Sequence, residues 1–399
     1  MSKNYSRRDF LKLASAGAAT TAILTGCGPA SRYVTREPYT QMPEYTLNGQ
    51  STYFATTCRE CSAGCGLVVR THQGRALKVE GNKNNPVNLG KTCVRGQATI
   101  HGLYNPDRIM YPGKHTRGEE ITMFGENPPQ PNITLGEMRW DEAIQIVADA
   151  LTTHTPNEIA FLTGLAPDHL FDLVSDLANA IGAPAPLRFG ALSMFEARAT
   201  LSKAAENLFG EARLPFFDLG SADMTFSFGA NFLETWLSPV AYTRGFSHMR
   251  KTDGKPRGRL VHFEPRMSQT AAKADEWIPV RPGTEGLVAL AIGRLTAEAR
   301  GDSIPQAFAA VNVNDAASAS GVSRETLERL AASFAQAEHP LAIPGGAALG
   351  HSNGLETAEA VLALNTLVGN LGKSGGVYLS ALSPLDDEYH RPANSREIY

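Results

Sequence analysis

The chain has 399 residues, of which 42% are hydrophobic and 19% charged, and its formal net charge at pH 7 is −3. This composition excludes a disordered chain and a basic nucleic-acid binder, and the length is sufficient to bury a large core in two or three structural units. Four of the five cysteines fall into one pattern, so no disulfide is needed to explain them.

The N-terminus has the features of an export signal. Arg7 and Arg8 precede a weakly apolar run, Leu13 to Leu24, that contains no acidic residue. The run is too short and too rich in Ala, Gly and Thr to span a bilayer, and with the two arginines it resembles a twin-arginine signal. The alternative is a surface amphipathic helix. Because this pathway transports folded proteins, we expect a cofactor that is inserted before export.

A lipid anchor is predicted directly after this signal. The sequence from Leu24 to Cys27 resembles a lipoprotein box, whose cleavage would leave Cys27 as an acylated N-terminus on the extracytoplasmic face of the membrane. A chance cysteine is the alternative. We therefore predict a signal peptide with lipobox over residues 1–27 and an extended tether over residues 28–50, which contain several Pro and Tyr residues.

The remaining cysteines form a three-plus-one motif, C-x2-C-x3-C-x27-C, made of Cys58, Cys61, Cys65 and Cys93. Four thiolates of this kind are the ligands of a [4Fe-4S] cluster. A structural zinc site also takes four thiolates, but it more often pairs two C-x2-C motifs. Residues 67–80 predict two short strands joined by a turn at Gly74, so the cysteines are expected in a small β unit.

The cysteine motif and the segment from Gly81 to Asn88 together resemble the cluster domain of the molybdopterin oxidoreductases, the dimethyl sulfoxide reductase superfamily. The resemblance implies a [4Fe-4S] domain over residues 51–112 and a molybdopterin-binding-like α/β region over residues 113–399. It also implies that Arg95, two residues after the fourth cysteine, lies between cluster and pterin. A solvated surface arginine is the alternative.

The second region predicts strands and helices in alternation, which is typical of a doubly wound, mostly parallel sheet. A helix that starts near Trp140 carries an apolar stripe that includes Ile146 and Val147. The other predicted helices are His169–Ile181, Phe195–Leu208, Pro239–Arg250, Glu285–Arg300, Ser323–Ala337 and Glu356–Leu371. The predicted strands are Ile159–Thr163, Met224–Phe228, Arg259–Phe263 and Leu341–Ile343.

Three turns after these strands resemble the nucleotide-binding turns of the family, and ligands bind at this edge of a parallel sheet. Glutamates replace the aspartates that are usual at two positions, and capping or packing is the alternative role for each turn. The residues implied to bind a molybdopterin guanine dinucleotide are Gly229, Asn231, Glu264, Arg266, Arg281, Gly283, Thr284 and Glu285.

The resemblance continues through Gly350–Gly354 and Leu362–Gly376. In the family, a Cys, selenocysteine, Ser or Asp in the loop after the second strand binds molybdenum or tungsten. Here that loop offers Ser193, for which a helix N-cap is the alternative role. The segment 217–236 is similar to the molybdopterin-oxidoreductase-like half of the alternative complex III B subunit. The β-barrel domain that ends family catalytic subunits is expected to be absent.

Two functions follow as hypotheses. The first is an exported, lipid-anchored iron-sulfur subunit of a quinol-linked respiratory complex. Its partners would be a ferredoxin-type subunit and a quinone-interacting membrane subunit, with no nucleic acid. The second is a catalytic molybdopterin oxidoreductase, as a fragment or split subunit with Ser193 or no protein ligand to the metal. A zinc-stabilised binding module is a minor third hypothesis.

Overall fold

The computed structural model describes residues 49–116, 134–164, 168–188, 197–252, 254 and 256–380. Contacts divide the chain into two compact units. The described residues up to Phe54 and Val69–Lys78 belong to one unit, and Ala55–Val68 belongs to the other together with the residues from Val79 onward. All four cysteines of the three-plus-one motif lie in the second unit. The predicted Ser193 and Cys27 lie outside the described residues.

The N-terminal strands form a three-stranded sheet in the order β1-β2-β3. As the sequence predicts, a tight turn joins the second and third strands. Gln73 and Gly74 form this turn with φ of 48° and 77°, and glycine adopts such positive values freely. The strands are β1 (Ser51–Thr57), β2 (Gly66–His72) and β3 (Arg75–Gly81), and helix α1 (Val94–Leu103) follows.

The segment up to the main sheet contains short strands and two longer helices. The strands are β4 (Gly113–Thr116), β5 (Thr134–Glu137), β6 (Leu162–Thr163) and β7 (Leu187–Arg188), and the helices are α2 (Trp140–Thr153) and α3 (Asp168–Ile181). The predicted strand Ile159–Thr163 is therefore reduced to two residues. Helix α2 forms where expected, but none of its residues is buried, and Val147 of its apolar stripe is 58% exposed. The periodicity predicts the helix and does not determine what covers it.

The main sheet has four parallel strands in the order β11-β10-β9-β12. Its strands are β9 (Met224–Phe228), β10 (Arg259–Phe263), β11 (Glu276–Ile278) and β12 (Pro340–Pro344). The bounds of β9 and β10 are those that the sequence predicts. Outside this sheet, β8 (Pro215–Phe217) pairs antiparallel with β13 (Val377–Leu379).

Helices cover both faces of the main sheet, because alternate strand residues point to opposite faces. They are α4 (Arg198–Phe209), α5 (Pro239–Met249), α6 (Gln269–Lys273), α7 (Glu285–Arg300), α8 (Gln306–Ala309), α9 (Val313–Ser320), α10 (Arg324–Gln336) and α11 (Gly354–Leu367). Phe226 and Phe263 pack against α7 and α10. Leu260 and Ile343 face α4, α5 and α11.

The doubly wound α/β prediction is therefore confirmed. Within the described residues, no helix is both long and apolar enough to cross a membrane.

Candidate metal centre and adjoining cavities

The four cysteines of the motif are brought together by the elements around them. Cys58 directly follows β1, Cys61 and Cys65 lie in the loop before β2, and Cys93 is the N-cap residue of α1. Gly64 turns the loop with φ of 62°. Cys58 and Cys65 are each 7% exposed, and the other two cysteines are half-buried. The predicted ligand set thus converges from a loop and a helix start.

Backbone contacts hold this arrangement. The Cys58 N–H donates to the Cys65 carbonyl at 2.8 Å, so the first and third cysteines are linked directly. A Cβ added to Gly96 would lie 2.7 Å from Thr92 Oγ1 and 3.8 Å from the Cys58 sulfur. A side chain at this position would clash with the Thr92 hydroxyl, while the Cys58 sulfur lies at ordinary van der Waals distance from the first turn of α1.

The thiols need a cation in order to ionise together. Burial raises the pKa of Cys65 to about 11 and also raises that of Cys58, and the neighbouring cysteines raise both further because like charges repel. Bound iron would reverse this by stabilising the thiolates. Among the described residues, no three His, Cys, Asp or Glu side chains approach closely enough to hold one metal ion. A multi-iron cluster spaces its sulfur ligands more widely than a single tetrahedral ion.

A cavity of about 580 Å³ adjoins the fourth cysteine. Arg95 and Lys91 line it on the cysteine side. Glu234 follows β9, Gln269 begins α6 after β10, and both line the opposite side. The cavity thus lies outside the carboxyl ends of two parallel strands, where open α/β sheets bind ligands.

The charged side chains that line this cavity are mostly positive. Arg244 of α5 adds a third cationic side chain, and hydroxyl groups contribute further hydrogen-bond donors. The single acidic side chain among the lining residues is Glu234. Its Oε1 atom is buried and has no hydrogen-bond partner within the described part of the chain. A buried polar atom of this kind normally has a partner, so this carboxylate oxygen lies in an unfavourable environment.

A second cavity, of about 490 Å³, lies on the other side of α5. It is lined by Ser62 and Ala63 from the cysteine loop, by Tyr242 and Phe216, and again by Arg244. The two rings stack with their centroids 6.2 Å apart. Helix α5 therefore separates two cavities, and both adjoin residues next to the cysteine ligands.

Side chains link the cysteine loops to the helices around these cavities. Arg198 Nη2, at the start of α4, donates to the Ser62 hydroxyl at 3.0 Å. Arg244 Nη1 donates to the Val87 carbonyl at 3.4 Å. Helices α4 and α5 thus help to fix the position of the metal centre relative to the sheet.

The first two predicted nucleotide turns form one hydrogen-bonded network. Glu264 Oε2 lies 3.2 Å from His262 Nε2, and its Oε1 lies 3.4 Å from Arg266 Nε. With its amide oriented to satisfy both neighbours, Asn231 donates to Glu264 Oε1 and accepts from Arg266 Nη2, each at 3.1 Å. Burial alone would raise the pKa of Glu264, but hydrogen bonds from His262 and Ser268 and the Arg266 charge lower it.

The third predicted turn places its acid in the interior. Glu285 begins α7 and is 1% exposed, burial raises its pKa, and its Oε2 atom has no hydrogen-bond partner among the described residues. Arg281 Nη1 instead donates to the Ser318 carbonyl at 2.7 Å, and Thr284 Oγ1 donates to the Arg281 carbonyl at 2.6 Å. Arg281 and Thr284 therefore stabilise the turn.

Two glycines of the predicted nucleotide-binding turns have the positive φ values that favour glycine. Gly229 has φ of 70°, and a Cβ there would lie 2.7 Å from the Gly345 carbonyl oxygen. Gly283 has φ of 78°, and its carbonyl accepts a hydrogen bond from Asn353 at 2.9 Å. Their roles in nucleotide binding stay predictions.

Sequence reasoning missed four residues near these sites. Glu234 and Arg244 gave no local signal, because only the fold brings them to the cavities. His262 did give one, since it is a polar residue inside an otherwise apolar strand. Asn88 closes the segment Gly81–Asn88, and its buried contacts are described below.

Comparisons with known proteins place this geometry in context. The family model for the molybdopterin oxidoreductase Fe4S4 domain matches residues 51–105, and that for molybdopterin oxidoreductase matches residues 132–384. The fold also resembles acetylene hydratase from Pelobacter acetylenicus, with a TM-score of 0.60 and 16% sequence identity, over 82% of this chain and 45% of that one.

Several curated proteins are similar in sequence. The menaquinone reductase, molybdopterin-binding-like subunit of Nitratidesulfovibrio vulgaris is 27% identical, over 93% of this chain and 52% of that protein. The arsenate respiratory reductase molybdopterin-containing subunit of Shewanella sp. is 28% identical, over 73% and 33%. The thiosulfate reductase molybdopterin-containing subunit of Salmonella typhimurium is 25% identical, over 94% and 47%. The chain thus spans about half of these relatives or less.

Proposed function

We propose, from the premise that this chain belongs to the molybdopterin oxidoreductase family, that it forms the cofactor-holding part of a catalytic oxidoreductase subunit. Its two matched domains are those of a [4Fe-4S] cluster and of a molybdopterin cofactor. One observation carries the proposal. The cavity of about 580 Å³ reaches from Cys93 and Arg95 to the loops after β9 and β10, so a ligand there would contact both domains.

The lining of this larger cavity suits a pterin with attached phosphate. Lys91, Arg95 and Arg244 supply positive charge for phosphate oxygens. Glu234, the acidic side chain of the lining, is an acceptor for the N–H groups that the pyrimidinone edge of a pterin presents. The residues present therefore fit the group in charge and in hydrogen-bonding capacity.

The chain's own residues have separate tasks in this proposal. Arg95 lies two residues beyond the ligand Cys93 in the first turn of α1, so it can bind the pterin beside the cluster. The four cysteines would hold a cluster, which would supply one-electron transfer. When bound, a molybdopterin supplies a metal that exchanges electron pairs with a substrate.

The names of the relatives support the catalytic hypothesis over an iron-sulfur-only, lipid-anchored electron carrier. Two of those quoted above are named as molybdopterin-containing subunits of reductases. The match to an Fe4S4 domain favours a cluster over the zinc alternative. Ser193, the candidate metal ligand, stays a prediction.

The electron-transfer role is kept as a second candidate because of one observation. Glu264 and Glu285, the two acids implied to bind the nucleotide, are only 2% and 1% exposed. A chain that no longer binds the dinucleotide could bury both. The relative from Nitratidesulfovibrio vulgaris, named a molybdopterin-binding-like subunit, matches 93% of this chain.

Location and partners belong to the same proposal. The predicted twin-arginine signal and the lipobox at Cys27 support export and a lipid anchor, and an iron-sulfur cluster suits a ferredoxin-type partner linked to a quinone-interacting membrane subunit. Mass spectrometry of the mature N-terminal peptide tests the anchor. An acylated Cys27 is the expected result, and an unmodified peptide that still contains Arg7 and Arg8 would contradict it.

Pterin content tests the catalytic proposal. Protein purified without oxygen is oxidised, and the fluorescent pterin derivative is measured per chain. We expect stoichiometric pterin in the wild type, a several-fold loss in Glu234→Ala, and no loss in the matched control Glu338→Ala, whose side chain is 86% exposed. A wild type with cluster but no pterin would overturn the function. Full pterin in Glu234→Ala would refute only the role of Glu234.

A further inference from the structure

Asn88 is a fully buried polar residue, 0% exposed, in the loop before the fourth cysteine. Its Oδ1 accepts from the Gly66 N–H at 2.9 Å, and its Nδ2 donates to the Gly66 carbonyl at 2.8 Å and to the Lys91 carbonyl at 2.6 Å. The two bonds to Gly66 imitate the pairing of a β-strand, while the third reaches a separate loop. The one amide thus connects two segments that are distant in sequence.

Both connected segments carry cysteine ligands. Gly66 directly follows Cys65, which is bonded through its carbonyl to the Cys58 N–H at 2.8 Å. Lys91 lies two residues before Cys93. We propose that Asn88 is a positioning residue for the iron-sulfur cluster, which fixes Cys93 relative to the Cys58–Cys65 pair.

Backbone bonds also hold this loop, since the Asn82 N–H donates to the Gly66 carbonyl at 2.9 Å. The loop between β3 and α1 is a series of turns with positive φ values at Leu89 and Gly90, 42° and 82°. The Gly90 N–H donates to the Asn82 carbonyl at 2.9 Å, which holds the loop to the end of β3. Asn88 is the side chain that joins this loop to Gly66.

The packing around Gly66 shows how tightly this region is set. A Cβ on Gly66 would lie 2.5 Å from the Asn85 Cβ, and one on Gly81 would lie 2.4 Å from the Gly90 carbonyl carbon. The loop therefore lies directly against the start of β2 and the end of β3, the two strands between the third and fourth cysteines. A small displacement of the loop would move Cys93 relative to the other sulfurs, and ligand geometry and solvent exposure both affect a cluster's reduction potential.

The test compares Asn88→Asp and Asn88→Ser with the matched control Asn84→Asp, whose side chain is exposed in the same loop. Asp keeps an acceptor for the Gly66 N–H but removes both amide donors, and Ser has a single hydroxyl donor, which can serve at most one of the two carbonyls. In full-length protein purified without oxygen, three quantities are measured: the reduced-cluster resonance, its midpoint potential, and the rate of iron loss to a chelator.

We expect both Asn88 variants to lose iron roughly tenfold faster or more, because hydrogen bonds that fix the loop before Cys93 are removed. We also expect a shifted midpoint potential, which a role in folding alone would not produce, and no change in Asn84→Asp. Recovery of folded variants without iron would support the proposal. Wild-type potential and release rate in either variant would overturn it, and so would unfolding of the whole α/β region, since Asn88 lies outside that core.

Discussion

The cysteine module and the turns at the edge of the main sheet differ in how their charged groups are satisfied. The thiols of Cys58 and Cys65 are buried beside one another, and burial raises their pKa. The carboxylate of Glu264 is equally buried but is bonded to His262, Asn231 and Arg266. The first site needs an external cation to balance its thiolates, whereas the Glu264 network supplies its own. The cysteine module therefore depends on a bound cation for its charge balance, and the Glu264 network does not.

The largest expected effect comes from removing one cysteine ligand of the predicted cluster site. Cys61→Ser should abolish the reduced-cluster resonance, because a hydroxyl does not replace a soft thiolate ligand of iron. Electron paramagnetic resonance of protein reduced under anaerobic conditions measures this. Cys27→Ser is the matched control and should leave the resonance intact. A wild-type spectrum in Cys61→Ser would refute the ligand assignment.

Disrupting the hydrogen-bonded network around Glu264 should destabilise the fold. Glu264→Gln removes a charged partner from His262 and Arg266, so the free energy of unfolding should fall by about 1–3 kcal/mol at pH 7. Since the network lowers the pKa of Glu264, its stabilisation is present above the unfolded carboxyl pKa of about 4.3 and is lost as the pH falls through the folded pKa. The difference between variant and wild type should therefore shrink below about pH 4.

Chemical denaturation at several pH values measures this second effect. Glu298→Gln, which affects only a surface pair with Arg294 at 3.1 Å, is the matched control and should be nearly neutral. A Glu264→Gln variant as stable as wild type at pH 7 would show that the network does not hold the turn.

Substitution of Glu285 should change the free energy of unfolding in the opposite direction to substitution of Glu264, and by a smaller amount. Burial raises its pKa, so its charged form weakens the fold increasingly as the pH rises through the folded pKa. Glu285→Gln should therefore stabilise the protein by about 0.5–1 kcal/mol at pH 8, with a smaller gain near pH 4. The same denaturation series measures this, and a loss of stability at pH 8 would show that the backbone hydrogen bonds to the Glu285 carboxylate outweigh its burial.

The sequence predicts three of the four main-sheet strands because these have strong local signals, whereas β11, with three residues, is not among the predicted strands. Met224–Phe228 and Arg259–Phe263 are short, largely apolar runs, and the structure has both with the same bounds. Glu285–Arg300 is likewise a helix of the predicted extent. By contrast, α8 and α9 were not predicted, since helices of four and eight residues show too few turns for periodicity.

The sites are predictable only in part. The cysteine spacing identifies the metal centre, because ligands close in sequence must converge. The hydrogen bonds of Asn88 and the lining of the two cavities depend on contacts between segments that are distant in sequence. The bond from Arg198 to Ser62 is another such contact, and periodicity and spacing do not predict it. Nor could the sequence show that Glu264 and Glu285 would be buried, since the same turn motifs fit exposed and buried acids alike.

Metal content is the most direct measurement of the central claim. Iron, molybdenum, tungsten and zinc are determined per chain in full-length protein purified without oxygen. We predict four iron atoms and one atom of molybdenum or tungsten. Four iron atoms with neither molybdenum nor tungsten would contradict the catalytic proposal in favour of electron transfer alone. Zinc without iron would contradict the cluster itself.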